Sequence, residues 1–149
     1  VMTFLKCFYH YMGIFAKQDR GAVINVSSLT AISSSPYNAQ YGAGKSYIKK
    51  LTEAVAAECE STNVDVEVIT LGTTITPSLL SNLPGGPAGE AVMKAAMTPE
   101  ACVEEAFDNL GKSLSVIAGD HNKSNVHNWQ ANKTDDEYIR YMGSFYSNN

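Results

Sequence analysis

The sequence predicts an α/β fold, a parallel sheet covered by helices. Three observations carry that expectation. Short β-branched runs stand at residues 22–26 (AVINV) and 64–70 (VDVEVIT), and a third strand-like run, SLSVIAG, begins at residue 113. Helical periodicity fills the intervals before the first run and between the runs. The resulting order, α-β-α-β-α-β, is that of parallel strands joined by helical crossovers, which are expected to be right-handed.

Residues 1–17 form an amphipathic helix, with Phe4, Leu5, Phe8, Tyr11, Met12 and Phe15 at three- and four-residue spacing. KQDRG turns the chain into the first strand, whose unbroken apolar run suits a buried parallel strand. A Ser/Thr-rich loop at 27–38 follows. The next helix, 41–60, puts Tyr41, Tyr47, Ile48, Leu51, Ala54, Val55 and Cys59 on one side. Lys49, Lys50, Glu53 and Glu60 fall on the other. The second strand alternates. Residues 71–97, centred on LPGGPAG, read as a loop, of which 77–97 is a candidate substrate lid or, equally open, a plain surface loop. Thr98-Pro99-Glu100 is a helix start: a capping hydroxyl, Pro at the first position, then an acid at the positive end of the dipole. That helix stops at Gly111. Beyond residue 123 lies a polar tail, 124–149, with a possible last helix at 135–146.

Composition narrows the function classes. The 149 residues carry a net charge of -4, which disfavours nucleic acid or an anionic membrane as partner. No run is long or apolar enough for a membrane span. Three cysteines without C-x-x-C spacing point to a reduced, cytoplasmic setting, and three histidines lack metal-ligand spacing. The sequons at Asn25, Asn122 and Asn132 are incidental, Asn25 lying inside a strand.

Ligands of parallel sheets bind beyond the carboxyl ends of the strands. There the sequence reads AQYGAGKSYIKK, residues 39–50. Its GAGKS resembles the end of a phosphate-cradling loop, but Ala39 stands where that motif needs its first Gly, and no strand immediately precedes it. Tyr41 and Lys45 offer different chemistry. They lie at i and i+4 on one helix face. An ammonium beside a phenol favours the phenolate, and a tyrosine so tuned can exchange a proton with a hydroxyl or carbonyl oxygen. Ser28, at the end of the first strand, could hold the same oxygen.

GAVINVSS followed by YGAGK closely resembles the second half of short-chain dehydrogenases/reductases. The resemblance covers roughly residues 1–123. It implies Ser28 on the substrate oxygen, Tyr41 as general acid/base, and Lys45 on the tyrosine and the nicotinamide ribose. TLGTTITPSL is similar to the family's P-G-x-x-x-T segment, with Leu71 in place of the proline. It implies cofactor contacts from Gly72, the backbone near Thr74, and Thr76. An N-cap ahead of Pro77 is an equally open role for Thr76. The cofactor implied is NAD or NADP, with the T-P-E subgroup resemblance favouring NADP. A small carbonyl or alcohol is the implied substrate, and a homodimer through helices 1–15 and 41–59 the implied assembly.

The departures matter as much. No glycine cluster follows a strand to receive a pyrophosphate, and the position of the family's active-site asparagine falls at or before residue 1. The chain therefore resembles the C-terminal half of a Rossmann-like doubly wound sheet, its first nucleotide-binding βαβ unit absent. Activity is then expected of the full-length parent, and an exposed apolar face of the fragment. The rival expectation is a non-catalytic remnant acting as a self-association module.

Overall fold

The computed structural model describes residues 1–144. Its elements are α1 (Met2–Gln18), β1 (Gly21–Ser28), a 3-10 turn (Leu29–Ala31), α2 (Ala39–Cys59), β2 (Val64–Leu71), α3 (Pro77–Ser81), α4 (Gly86–Ala95), α5 (Pro99–Asn109), β3 (Ser115–Ile117), α6 (Asp120–Asn132) and α7 (Asp135–Ser144). The three strands form one parallel sheet in the order β1-β2-β3.

The register gives the sheet two distinct faces. Val64 and Val66 pack with Phe8 of α1 and Ala56 of α2. Ile69 and Leu71 point the other way, with Ile24, Val116 and Ala106 of α5. Helix α2 therefore covers one face and α5 the opposite one, although both crossovers step in the same direction across the sheet. Two such crossovers are of opposite hand, which corrects the expectation of two right-handed units. The long chain between β2 and α5 makes the reversal possible.

That segment also departs from the expected loop at 71–97. Thr76 caps α3, its hydroxyl accepting from Leu79 N at 3.2 Å, with Pro77 in the first turn. Gly85 and Pro87 begin α4. Pro and Gly here mark helix starts. The segment is pinched at its base: Ile75 N donates to Met97 O at 2.9 Å and Met97 N to Thr73 O at 3.0 Å.

Helix α5 starts as expected, Thr98 accepting from Ala101 N at 3.2 Å. Gly111 follows its end in the left-handed region, φ 74°. A further correction concerns the polar tail. Residues 120–132 are a helix, α6, which crosses the boundary placed at 123. Lys123 bonds Glu105 at 2.6 Å, and Glu105 Oε2 accepts from Gly119 N at 2.8 Å, so α6 is tied to α5 at its start. Helix α7 matches the expected last helix to Ser144; residues 145 and 146 of that expectation lie outside the described residues.

Helix α2 buries Gly42, Thr52 and Ala56 most deeply, while Tyr41, Tyr47 and Ala54 are exposed. Lys49 and Glu53, assigned to the outer side by periodicity, are half-buried: Lys49 pairs with Glu53, and both bond the Ser115 hydroxyl of β3 at 2.9 Å. Along the outer side of α1 and β1 runs an apolar groove that includes Phe4, Tyr11, Phe15 and Val23. Among the described residues no strand pairs with the free edge of β1, and Val26 is 47% exposed.

Candidate active site

Three strand ends, Ser28, Leu71 and Ile117, meet at the carboxyl edge of the sheet. Ser28 ends β1 and caps the 3-10 turn, its Oγ accepting from Thr30 N at 3.3 Å and Thr30 Oγ1 at 3.1 Å. Buried Ser27, one residue earlier, donates to Lys45 O at 2.9 Å and fixes the first turns of α2 against β1. Asn25 Nδ2 repeats the tie deeper, donating to Thr52 Oγ1 at 2.9 Å.

Tyr41 stands in the first turn of α2 and is 48% exposed. The Lys45 ammonium lies 5.7 Å from its ring centroid and donates to Val26 O at 3.0 Å. An ammonium has three donors, so this anchor leaves Lys45 able to serve further acceptors. Tyr41 and Lys45 are thus brought together, and Lys45 reaches the strand two residues before Ser28. Ser28 itself borders a hollow with Leu29, Gly72, Thr73, Tyr138 and Met142.

The segment after β2 is turned inward. At Gly72 an added Cβ would stand 2.6 Å from both side-chain polar atoms of Asn122. Asn122, itself buried, donates to Ala118 O at 2.7 Å and occupies the space that a side chain at 72 would need. Thr74 Oγ1 bonds Gly72 O at 3.4 Å and approaches Cys102 Sγ at 3.8 Å. The Thr76 hydroxyl is engaged in capping α3.

Residues that the sequence did not single out complete the surroundings. Helices α6 and α7 bring Trp129 and Tyr138 into a stacked pair, centroids 4.0 Å apart. Burial raises the Tyr138 phenol pKa above its ordinary value. A cleft of about 780 Å³ opens between Leu29, Thr73, Ala95 and these two helices. The one available signal was Asn122, Val126 and Trp129 at helical spacing, masked by the polar first member.

One more group stands apart. Glu67, in the middle of β2, is 0% exposed, and neither carboxylate oxygen has a hydrogen-bond partner among the described residues. Burial pushes its pKa up to about 7.

A parallel sheet with a serine at a strand end and a Tyr-x-x-x-Lys helix beside it fits a known class. The short chain dehydrogenase family model matches residues 1–83, and the chain belongs to that family. A 7beta-hydroxysteroid dehydrogenase of Collinsella aerofaciens is 78% identical over 146 residues, 98% of this chain and 56% of that protein. One of the same description from Mediterraneibacter gnavus is 76% identical over the same shares. A solved structure from a study of 7beta-hydroxysteroid dehydrogenase stereoselectivity superposes with TM-score 0.92 at 77% identity, covering 95% of this chain and 55% of that one. The chain thus spans just over half the length of the curated relatives it matches.

Proposed function

We propose that this chain is the catalytic portion of an NAD(P)-dependent oxidoreductase that interconverts a steroid 7β-hydroxyl group and the corresponding ketone. The single observation that carries the reading is the Tyr41–Lys45–Val26 arrangement at the carboxyl edge of β1. The relatives at 78% and 76% identity supply the substrate class.

Tyr41 is the proton donor to the carbonyl oxygen, or its acceptor in the reverse direction. Its half-exposed side chain is open to a ligand. Lys45, held by Val26 O, faces the tyrosine ring and offers its remaining N–H groups to ribose hydroxyls. Ser28 accepts from Thr30 through its lone pairs, so its own proton is available for the substrate oxygen. These groups suit the nicotinamide-ribose end of a cofactor, and the chain contains no glycine turn for the pyrophosphate end. A bound nicotinamide supplies or accepts the hydride; the protein supplies position and the proton. Gly72, Thr74 and Thr76 act in this reading through their backbone, since both hydroxyls are engaged internally. NADP is the favoured form, the cytoplasm the setting, and a homodimer through α1 and α2 the assembly. Exposed Tyr9, Tyr11 and Tyr47 on those helices support the last point.

The test is turnover of a 7-ketosteroid with NADPH, then with NADH, by the whole enzyme containing this segment, followed by nicotinamide absorbance. Reduction to the 7β alcohol that Tyr41→Phe slows by about a hundredfold or more supports the reading. Turnover unchanged in that variant refutes it.

A further inference from the structure

The backbone that follows β2 has a support of its own. Gly72 and Thr73 border the hollow beside Ser28. The φ of Gly72 is not positive, so a close approach, not backbone conformation, requires glycine there. The group that approaches is Asn122, both of whose side-chain polar atoms would lie 2.6 Å from an added Cβ.

Asn122 stands in the first turn of α6, is 5% exposed, and joins separate parts of the chain. Its Nδ2 donates to Ala118 O, just past β3, at 2.7 Å and approaches Met97 Sδ at 3.8 Å. Ala118 N donates to Thr70 O at 3.0 Å, and Met97 N to Thr73 O at 3.0 Å. Residues 70 and 73 are thus held by hydrogen bonds, and Asn122 fills the space against the residue between them. Gly119, at φ 81°, completes the fit: a Cβ there would stand 2.6 Å from Met97 Sδ and 3.5 Å from Asn122 Nδ2. Two glycines make room for one asparagine. An apolar side chain could fill that volume without the desolvation cost of an amide. The amide adds what bulk alone lacks, a directional tie to Ala118 O.

We propose that Asn122 is a positioning residue for the reaction. It does not touch the reacting atoms. By crowding Gly72 it sets how far the 72–73 backbone stands from Ser28, and so where the nicotinamide end of the cofactor comes to rest. The nicotinamide identity of that group rests on the function proposed above; the interlock of Asn122 with Gly72 and Gly119 rests on the distances.

The experiment uses the whole enzyme containing this segment, as wild type, Asn122→Ala, Asn122→Ser, Gly72→Ala and the Gly72→Ala/Asn122→Ala double variant. Calorimetric titration gives Kd for NADPH, for NADH and for the matching adenosine diphosphoribose that lacks the nicotinamide. Asn122→Ala is expected to weaken the better-bound cofactor about fivefold or more, over half a decade in Kd, and the diphosphoribose less than about twofold. At saturating cofactor and steroid its kcat is expected to fall about tenfold or more, since a misplacement of about 1 Å can cost about a hundredfold. Asn122→Ser, the milder change, gives the same split at smaller size and serves if Asn122→Ala does not fold. Thermal unfolding without cofactor tests the interlock: Gly72→Ala is expected to lower the midpoint less than half as much when Asn122 is already Ala. Folded Asn122 variants with wild-type cofactor Kd and kcat overturn the proposal and leave Asn122 a packing residue. Equal weakening of cofactor and diphosphoribose also overturns it, as do additive effects of the two substitutions on the midpoint. If the wild type binds neither NADPH nor NADH, the proposed function falls and the positioning role with it; if it binds one and the variants match it, only the positioning role falls.

Discussion

Replacing Glu67 by Gln should remove most of the loss of stability that the chain suffers between acid and neutral pH. The carboxyl sits in the central strand with no partner for either oxygen among the described residues, and burial moves its pKa from 4.5 to about 7. The folded state therefore binds this proton more tightly than the unfolded state. Below about 4.5 both states are protonated and no penalty exists. As pH rises through that window the unfolded chain releases the proton first, and stability falls until the folded carboxyl ionises near 7. Each unit of difference is worth about 1.4 kcal/mol, so the accumulated loss is on the order of 3 kcal/mol above pH 7. Gln keeps the shape and cannot titrate. Its unpartnered amide costs the same at every pH and shifts the curve without tilting it. The assay is urea unfolding at pH 4.5, 6 and 8. With a slope of about 1–3 kcal/mol per molar, the wild-type midpoint should drop by roughly 1–3 M more than the variant's across that range. Parallel midpoints would refute the reasoning and mean that the Glu67 charge is compensated in the folded protein.

Other perturbations test the site and its frame. In the whole enzyme Tyr41→Phe should lower kcat by about 10²–10⁴-fold with cofactor affinity nearly unchanged, and single-turnover kinetics check it. Lys45→Ala should weaken cofactor binding measurably by titration calorimetry while leaving the Ser28→Ala effect on turnover separate, since the two side chains serve different partners. Gly72→Ala places a methyl 2.6 Å from the buried Asn122 side chain and should cost about 1–3 kcal/mol in thermal unfolding. Thr98→Ala removes the α5 cap and should cost about 1 kcal/mol in the same assay.

The strands and the two long crossover helices were legible because each has a regular period and clear punctuation, as in Thr98-Pro99-Glu100 and Gly111. What stayed hidden followed from chemistry that one strand or turn does not disclose. The alternation VDVEV reads as a strand with one wet face, yet Glu67 is enclosed, because β2 is central and both of its faces are covered. Leu83-Pro84-Gly85-Gly86-Pro87 reads as loop, yet its last three residues cap and open α4. Helix α6 escaped because only Asn122, Val126 and Trp129 of it are buried and the first is polar. At the site, the Tyr41–Lys45 spacing gave a shared helix face, and the structure adds the Val26 carbonyl that holds the lysine. The aromatic pair of α6 and α7 is a tertiary contact between residues nine apart across a helix break, which no local period encodes.

The pinch between Thr73, Ile75 and Met97 bears on how such a chain can change over generations. The excursion that carries α3 and α4 leaves and rejoins the fold through two adjacent backbone hydrogen bonds. Its ends are held together whatever lies between them. Doubling or halving such a loop alters its closure cost by only about 0.6 kcal/mol. Insertions, deletions and whole-segment grafts from distant cousins can therefore accumulate there almost without thermodynamic consequence for the sheet. A laboratory library confined to residues 76–96 should yield mostly folded members, varied in what they admit to the carboxyl edge.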